Sequence, residues 1–332
     1  MSAEQTPAAK YPSRLPGSFW GITAYFNPVR YGNKLPNYRL FRESLKAQGL
    51  PLVTVELVHG DAPFELEKCD AEILVQRRGG DVMWQKERML NIALEHVPDD
   101  CDKVAWLDAD VLFQNRHWIA DTADLLEQYE FVQPFSLCFR MGAGSKSVLD
   151  DPGLDHSARA GSAYCWSHRD GWYAGMPGMA MAARREILKG NNLYDRDILG
   201  ANDRVILSAA MGLDAAYSSH VRSLPDGLVA DARAWCSRIA AVSHGSLSYT
   251  EGNVFHLWHG AIANRGYSKR SRLLRDFNVH EDIRVDSSGA WAWATDKPAL
   301  HARVYRYFQS RKEEGPGRLA RLARWLASLG GR

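Results

Sequence analysis

The segment KVAWLDADVLF, residues 103–113, runs a short apolar stretch directly into two aspartates. Its apolar part, residues 104–107, has no polar alternation and is typical of a strand covered on both faces. Carboxylates at the end of such a strand are costly to desolvate unless a cation, hydrogen-bond donors or water receive them. We therefore expect Asp108 and Asp110 to border a polar site at the end of a buried strand.

Strands and helices alternate around this segment. Apolar or β-branched runs predict strands, and apolar residues at helical spacing predict helices, with Asp81 as an N-cap and Gly49 as a C′ cap. The predicted strands are residues 19–26, 52–58, 71–76, 104–107 and 130–135, and the predicted helices are residues 37–48, 81–97 and 118–128. This alternation predicts an α/β fold with a mixed, mainly parallel central sheet flanked by helices, in which ligands bind at the carboxyl ends of strands.

The second half of the chain is less regular. Residues 136–170 are rich in Gly, Ser and Asp, which predicts a long functional or disordered loop. Order resumes with a strand running into a helix at 178–188, a helix at 201–212, an aromatic stretch at 253–260 and a helix at 298–309. We predict an extended or disordered N-terminal arm (1–18), a main domain (19–290) and a C-terminal helical extension (291–332).

The composition indicates a soluble globular protein. The 332 residues are 45% hydrophobic and 24% charged, and the formal net charge of +2 gives no strong nucleic-acid signal. The polar, proline-broken N-terminus lacks the apolar core of a secretory signal, and no run is long and apolar enough to span a bilayer. Five scattered cysteines without zinc-type spacing predict reduced thiols, so we expect a cytoplasmic protein.

The two aspartates suit a metal ion. Side chains alternate along an extended chain, which predicts that Asp108 and Asp110 point the same way while Ala109 points back. Two such carboxylates can share a hard divalent cation. The alternative is structural, with Asp110 capping a turn and Asp108 binding backbone amides.

The stretch AWLDADVLF resembles the D-x-D segment of glycosyltransferases with the Rossmann-like GT-A fold. The resemblance implies a divalent metal, Mn²⁺ or Mg²⁺, that bridges the diphosphate of a nucleotide sugar. It implies that Asp108 and Asp110 bind this metal and that Asp108 also contacts the donor. Residues 19–135 would then form the nucleotide-sugar half of the domain, and residues 136–290 the acceptor half.

Two further segments resemble the same family. WQKERMLNIAL resembles the segment upstream of the D-x-D motif, which implies that Arg88 and Asn91 face the nucleotide; the alternative is the solvated face of an amphipathic helix. YAGMPGMAMAARREIL resembles the glycine-rich acceptor-side strand, and LGANDRVIL follows it where the family places an acidic pair. This implies Asp203 as the general base and inversion at the anomeric carbon, although Asn202 stands where a glutamate is common. The alternative is a helix cap.

The stretch VFHLWHG contains two histidines, His256 and His259. Imidazole binds manganese alongside carboxylates, and the stretch looks like the late histidine ligand of several GT-A families. Alternation on a strand sends the two rings to opposite sides, which predicts that only one of them binds the metal. Either histidine fits; we prefer His256 as the ligand and assign His259 to orient a phosphate. The alternative is that they are ordinary core histidines.

The resemblance also implies donor contacts on the first two strands. Tyr25 is placed to stack on a uracil and Glu56 to hydrogen-bond its imide, which favours a UDP-sugar, although both residue types have ordinary structural uses. The predicted function is metal-dependent transfer of a sugar to a hydroxyl of a glycan, lipid-linked or other acceptor. The alternatives are a metal-dependent nucleotidyltransferase and a non-catalytic glycan- or nucleotide-binding domain.

The C-terminal tail adds a membrane hypothesis. Residues 317–331, GRLARLARWLASLGG, place leucines on one helical face and arginines on the other. Basic amphipathic helices can lie on anionic membranes, which predicts peripheral contact with the inner face of a membrane. The alternative is a terminal helix that packs on its own domain.

Overall fold

A computed structural model describes residues 14–143, 155–168, 171, 175–267 and 269–313. The predicted basic helix at 317–331 and residues 1–13 of the predicted arm lie outside these ranges. The described end of the arm is held in place, because the Leu15 N–H donates to Glu127 and the Gly17 N–H donates to Asp102. Within the described ranges, no helix has both the length and the apolar character that crossing a membrane requires.

The described helices and strands follow the predicted alternation in the first half of the chain. In chain order they are β1 (Ser18–Phe26), α1 (Lys34–Gln48), β2 (Leu52–Val58), β3 (Ile73–Arg78), α2 (Lys86–Leu94), β4 (Cys101–Leu107), β5 (Val111–Phe113), α3 (Trp118–Leu126), β6 (Phe131–Gln133), β7 (Leu137–Arg140), β8 (Asp155–Ala160), α4 (Ser162–Ser167), β9 (Ala180–Arg184), α5 (Arg185–Leu188), α6 (Asn202–Ala210), α7 (Ser219–Arg222), α8 (Asp226–Ala240), β10 (Leu247–Tyr249), β11 (Asn253–His256), β12 (Ile283–Val285), β13 (Trp291–Trp293) and α9 (Pro298–Ser310). As predicted, α1 ends at Gly49, whose left-handed conformation (φ 82°) lets its N–H bond to the last turn.

Seven strands form the central sheet in the order β10–β6–β9–β4–β1–β2–β3. Strand β1 lies parallel to both β2 and β4, β2 is parallel to β3, and β6 is parallel to β10, whereas β9 runs antiparallel to β4 and β6. Every residue of β2 is buried, as expected for a strand covered on both faces. This mixed, mainly parallel sheet flanked by helices confirms the predicted fold class. It also brings the carboxyl ends of β1 and β4 side by side.

A second, four-stranded sheet has the order β5–β11–β7–β8. It overturns the prediction of a long loop over residues 136–170, because strands β7 and β8 and helix α4 lie within that range. Strand β7 is specified by pairing with distant partners, parallel to β11 and antiparallel to β8. Long-range pairing of this kind overrides a local composition that favours loops.

Helix α2 is shorter than the predicted helix at 81–97. Asp81 does not cap it; instead, its N–H donates to the Trp291 carbonyl at 3.0 Å, and its carboxylate accepts the Trp293 N–H at 2.8 Å. Gln85 also bonds to the Trp291 backbone through both ends of its side-chain amide, at 2.7 and 2.9 Å. These bonds to β13 hold residues 81–85 outside the helix, so α2 begins at Lys86.

The C-terminal part of the described chain packs on the main domain. Strands β12 and β13 pair across the predicted boundary at 290/291. The Tyr31 hydroxyl donates to the carbonyl of Phe308 in α9 at 2.9 Å, and beyond α9 Glu313 forms an ion pair with Lys34 at 3.0 Å. Residues near the end of the described chain therefore reach the edge of the sheet at which β1 ends.

Candidate active site

A cavity of about 970 Å³ opens where β1 and β4 end. Because these strands are parallel neighbours, their carboxyl ends meet at one edge of the sheet, which is where α/β sheets bind ligands. Six of the residues singled out in the sequence line this cavity together: Tyr25, Asp108, Asp110, Asp203, His256 and His259. Side chains far apart in the sequence therefore share one concave site.

Three of these side chains converge as a candidate metal group: Asp110, His256 and His259. One ligand atom from each lies within 4.8 Å of the others. His256 Nε2 is 3.4 Å from Asp110 Oδ1, and His259 Nδ1 is 2.8 Å from Asp110 Oδ2. Both rings face the same carboxylate, so the expectation that alternation separates them is wrong. The physical reason is that β11 ends at His256, and His259 lies in the irregular segment that follows.

The polar atoms of this group fit a bound cation. Asp110 Oδ1, His256 Nε2 and His259 Nδ1 are buried, and among the described residues no hydrogen bond from outside this group satisfies them. Burial lowers the pKa of His259 to about 3, so its ring is neutral at physiological pH and offers a lone pair. Two imidazoles and a carboxylate are a ligand set that transition metals accept.

Asp108 stands apart from this group. Its Oδ1 accepts a hydrogen bond from Lys86 Nζ at 2.9 Å, and its Oδ2 accepts the Met179 N–H at 3.3 Å. Met179 has a left-handed backbone (φ 78°), which is rare for a residue with a side chain and marks a constrained position. The structure thus brings Asp110 together with two histidines and places Asp108 on a lysine, because the strand ends at Leu107 and alternation does not continue through the turn.

Asp203 lies in the first turn of α6, and its side chain is 27% exposed on the cavity wall. Lys86 Nζ is 4.0 Å from Asp203 Oδ1 and 3.3 Å from Glu87 Oε1, in addition to its bond to Asp108. Burial alone lowers the pKa of Lys86, but the charges of Asp108, Asp203 and Glu87 outweigh it and raise the pKa well above its usual value. One buried ammonium group therefore links three carboxylates at the site.

Gly178 approaches the Asp203 carboxylate closely. A Cβ atom at Gly178 would lie 2.5 Å from Asp203 Oδ2, closer than atoms can pack. The glycine-rich segment before β9 therefore leaves room for the carboxylate of α6, which is the close approach that a glycine permits.

Asn202, the departure from the family pattern, has a structural position. It is fully buried, its Oδ1 accepts the Asp197 N–H at 2.9 Å, and its Nδ2 donates to Glu87 Oε2 at 2.8 Å. Glu87 also accepts a hydrogen bond from Trp84 Nε1 at 2.8 Å. Burial raises the pKa of Glu87 to about 7; Lys86 opposes the rise, and the charge of Asp203 adds to it. A second carboxylate thus lies near Asp203, but it comes from α2.

Arg88 and Asn91 are not brought to the cavity. Arg88 donates to the Gly289 carbonyl at 2.7 Å and forms an ion pair with Asp195 at 3.4 Å. Asn91 is 1% exposed and bonds to the Leu193 backbone through both ends of its amide, at 2.9 and 2.7 Å. Arg88 and Asn91 therefore face neither a nucleotide site in the cavity nor open solvent, which were the two predictions for this side of α2. The physical reason is that the helix is buried between the sheet and the segment around residue 193.

Tyr25 and Glu56 lie near the cavity in structural positions. Tyr25 lines it but is 3% exposed, and its ring packs edge-on against Tyr38 at 5.3 Å, so little of its face is open to a base. Glu56 is fully buried; it accepts the Glu65 N–H at 2.5 Å and a hydrogen bond from Gln76 Nε2 at 2.8 Å. It fixes the loop after β2 and borders a separate cavity of about 60 Å³.

Lys86 and Glu87 are site residues that the sequence analysis missed. The sequence signal that could have found Lys86 was the segment WQKER, which contains Lys86 and Arg88. The resemblance expects one Arg or Lys before an Asn there. The resemblance assigned this basic position to Arg88, and the spacing of Arg88 and Asn91 on a helix over 81–97 was consistent with that choice. The observed start of α2 puts Lys86 in its first turn, directed at Asp108.

No family model matches the chain, and no curated protein sequence matches it. Among solved structures, it is similar to S. aureus TarS 1–349 in complex with UDP-GlcNAc, with 13% identity and a TM-score of 0.39. That match covers 72% of this chain and 58% of TarS 1–349, so the chain spans little more than half of that protein's length.

Two other similar structures are of enzymes named for two different reactions. Glucosyl-3-phosphoglycerate synthase from Mycobacterium tuberculosis, in complex with Mn²⁺, UDP and glucosyl-3-phosphoglycerate, is 12% identical, with a TM-score of 0.43 over 78% of each chain. The 4-diphosphocytidyl-2C-methyl-D-erythritol synthase from Anaerococcus prevotii is 8% identical, with a TM-score of 0.34 over 71% of this chain and 89% of that one. The function proposed below rests on the geometry of the site.

Proposed function

We propose that the protein is a metal-dependent glycosyltransferase of the GT-A type, which moves a sugar from a nucleoside diphosphate, with UDP favoured, to an acceptor hydroxyl. The observation that supports it most is the meeting of two groups in one cavity at the ends of parallel strands. One is the buried cluster of Asp110, His256 and His259, and the other is Asp203 in the first turn of α6.

Asp110, His256 and His259 would hold the metal. Two imidazoles disfavour Mg²⁺, which prefers oxygen ligands, and therefore favour Mn²⁺ of the two metals considered. When bound, the metal supplies positive charge that stabilises the leaving diphosphate. Asp108, anchored by Lys86, is left to contact the donor rather than the metal.

Asp203 would act as the general base. In an inverting transfer, its carboxylate takes the proton of the acceptor hydroxyl, whose oxygen bonds to the anomeric carbon as the bond from that carbon to the diphosphate oxygen breaks. Gly178 leaves room for this carboxylate at the cavity wall, and Lys86 fixes it near Asp108. The neighbouring residue, Asn202, keeps α6 in place through its hydrogen bonds to Asp197 and Glu87.

Nucleotide release from UDP-sugars with Mn²⁺ tests the proposal. UDP-glucose, UDP-galactose and UDP-GlcNAc are each incubated with the wild type and with the Asp110→Asn, Asp203→Asn and Asp124→Asn variants, and free UDP is measured. Asp124 is an exposed carboxylate on α3, outside the cavity, so its variant is the matched control. We expect release by the wild type and the control, none by Asp110→Asn, and loss of release but retained UDP–Mn²⁺ binding in Asp203→Asn.

Two results would contradict the transferase. Pyrophosphate release from a nucleoside triphosphate in the presence of a sugar phosphate, with no UDP release from any sugar donor, would indicate the nucleotidyltransferase. UDP–Mn²⁺ binding without turnover of any donor, and unchanged in Asp203→Asn, would indicate a binding domain.

A further inference from the structure

Six arginines line the same cavity as Asp203, and three of them are considered together: Arg159 on β8, Arg204 on α6 and Arg270 in the segment after residue 269. Within the part of the chain that the structure describes, no carboxylate forms an ion pair with any of the three at 4.0 Å or less. Arg270 is 7% exposed and its Nε is buried without a hydrogen-bond partner, while its guanidinium lies 5.0 Å from the centre of the Tyr267 ring. Arg270 also donates a 3.5 Å hydrogen bond to the Tyr307 hydroxyl, and the charge of Asp197 acts on it. We call these three residues the arginine wall.

The charges of the arginine wall act on one another. Burial lowers the pKa of Arg204; the charge of Asp203 opposes this, and the positive charges of Arg270 and Arg159 lower the pKa further. Burial also acts to lower the pKa of Arg270, but Tyr307 and the charge of Asp197 outweigh it and raise the pKa. Like charges held together in a partly buried wall are destabilising. An anion bound among them would relieve this repulsion and would satisfy the free guanidinium donors.

Strand register places the wall beside the candidate metal group. Arg159 lies opposite Cys138 in the antiparallel β7–β8 pair, so their side chains share one face of the sheet. Two residues along β7, Arg140 shares that face and lies next to His256 in the parallel β7–β11 pair. Arg140 also lines the cavity. The cationic surface therefore extends from the metal group toward Asp203.

We propose that the acceptor is anionic: a phosphate or carboxylate group on the acceptor binds to Arg159, Arg204 and Arg270 while its hydroxyl faces Asp203. Guanidinium groups bind such oxyanions through paired, charge-assisted hydrogen bonds. The donor diphosphate is assigned to the metal group, which leaves the arginine wall for a second anion. This inference rests on the proposed transferase function.

Calorimetric titration with small acceptor probes tests the proposal. The probes are glycerol 3-phosphate, glycerate and glycerol, each with EDTA so that no metal contributes. The proteins are the wild type, Arg159→Gln, Arg204→Gln and Arg116→Gln. Arg116 is an exposed arginine outside the cavity, so its variant removes the same charge elsewhere. UDP with Mn²⁺ is titrated into each protein as a separate readout.

We expect the wild type and Arg116→Gln to bind glycerol 3-phosphate or glycerate, and not glycerol. Each wall variant should bind the anion about tenfold more weakly or worse, the loss typical of one charge-assisted bond. The three variants should bind UDP–Mn²⁺ as tightly as the wild type does. The stronger of the two anionic probes identifies the group as phosphate or carboxylate. Because Arg159 is exposed, its variant tests the proposal even if Arg204→Gln folds poorly.

Three results would overturn it: equal binding of glycerol and the anions, equal anion binding by the wild type and both wall variants, or an equal loss of UDP–Mn²⁺ binding in the wall variants. The last would assign the wall to the donor. Arginine-dependent anion binding without UDP release from any sugar donor would instead refute the transferase and leave an anion-binding cavity, so the two failures are distinguishable.

Discussion

Replacing Lys86 with methionine would remove the cation that links three site carboxylates. Its ammonium lies 2.9 Å from Asp108, 3.3 Å from Glu87 and 4.0 Å from Asp203. Methionine keeps much of the length of the side chain and removes its charge. The three carboxylates would then face one another across the space that the ammonium now occupies.

The expected magnitude follows from burial. Opposite unit charges at 4 Å attract by about 4 kcal/mol at an effective dielectric constant of about 20, and desolvation of the ammonium offsets part of this. The Lys86 side chain is only 19% exposed, so it behaves as a buried partner. Removing one member of a buried ion pair costs roughly 3–5 kcal/mol. We expect Lys86→Met to lower the free energy of unfolding by about that much at pH 8.

The loss should depend on pH. The pKa of Glu87 is raised to about 7 in the folded protein, mainly by burial and against the effect of Lys86, so it rises further when Lys86 is removed. A carboxyl with a raised folded-state pKa contributes stability below its unfolded pKa and loses it as pH rises through the folded pKa. The deficit of Lys86→Met relative to the wild type should therefore be smaller at pH 5 than at pH 8.

Urea unfolding at pH 5 and pH 8, followed by circular dichroism, measures this. Lys297→Met is the control, because Lys297 pairs with the buried Asp282 at 2.9 Å, far from the cavity. The pKa of Asp282 is lowered, so it is ionised at both pH values and the control's loss should be the same at each. A loss below about 1 kcal/mol for Lys86→Met, or an equal loss at pH 5 and pH 8, would refute this account of the lysine.

Two further predictions concern Gly178 and Glu313. In Gly178→Ala the new Cβ would lie 2.5 Å from Asp203 Oδ2, so the carboxylate must move; we expect UDP release to fall about a hundredfold with little change in thermal stability. Unchanged turnover would remove the base role from Asp203. In Glu313→Gln, a buried carboxylate paired with Lys34 and Arg311 is neutralised, which should cost roughly 3–5 kcal/mol of unfolding free energy at pH 7. Burial opposes the charge of Glu313, but Lys34 and Arg311 hold the pKa of this carboxyl well below the usual value. The stability cost of Glu313→Gln should therefore shrink as the protein is acidified below about pH 4.5. A cost that does not shrink on acidification would contradict this prediction.

The central sheet could be predicted from the sequence because its strands are uninterrupted apolar runs. The run from Leu52 to Val58 is buried at every position and needs no knowledge of its partners. Strand β7 could not be found in this way, because its partners β8 and β11 come from segments that are distant in the chain or locally rich in turn residues.

The site was predictable in its components and not in its contacts. Asp110, His256 and Asp203 were singled out, and they line one cavity with His259. Whether both rings reach Asp110 depends on where β11 ends, and whether Lys86 or Arg88 reaches Asp108 depends on where α2 begins. Both ends are set by long-range bonds such as those between Gln85 and Trp291, which a single sequence does not display.

Titration of Mn²⁺ into the protein, followed by the loss of the free Mn²⁺ signal in electron paramagnetic resonance, tests the central claim most directly. We expect the wild type to bind one ion and to gain thermal stability from UDP only when Mn²⁺ is present, by about 2.7 kcal/mol at a hundredfold excess over the dissociation constant. Asp110→Asn and His259→Gln should lose both effects, whereas Asp108→Asn should keep Mn²⁺ binding because Asp108 lies on Lys86. Wild-type protein that binds no Mn²⁺, or an ion that depends on Asp108 and not on His259, would contradict the account.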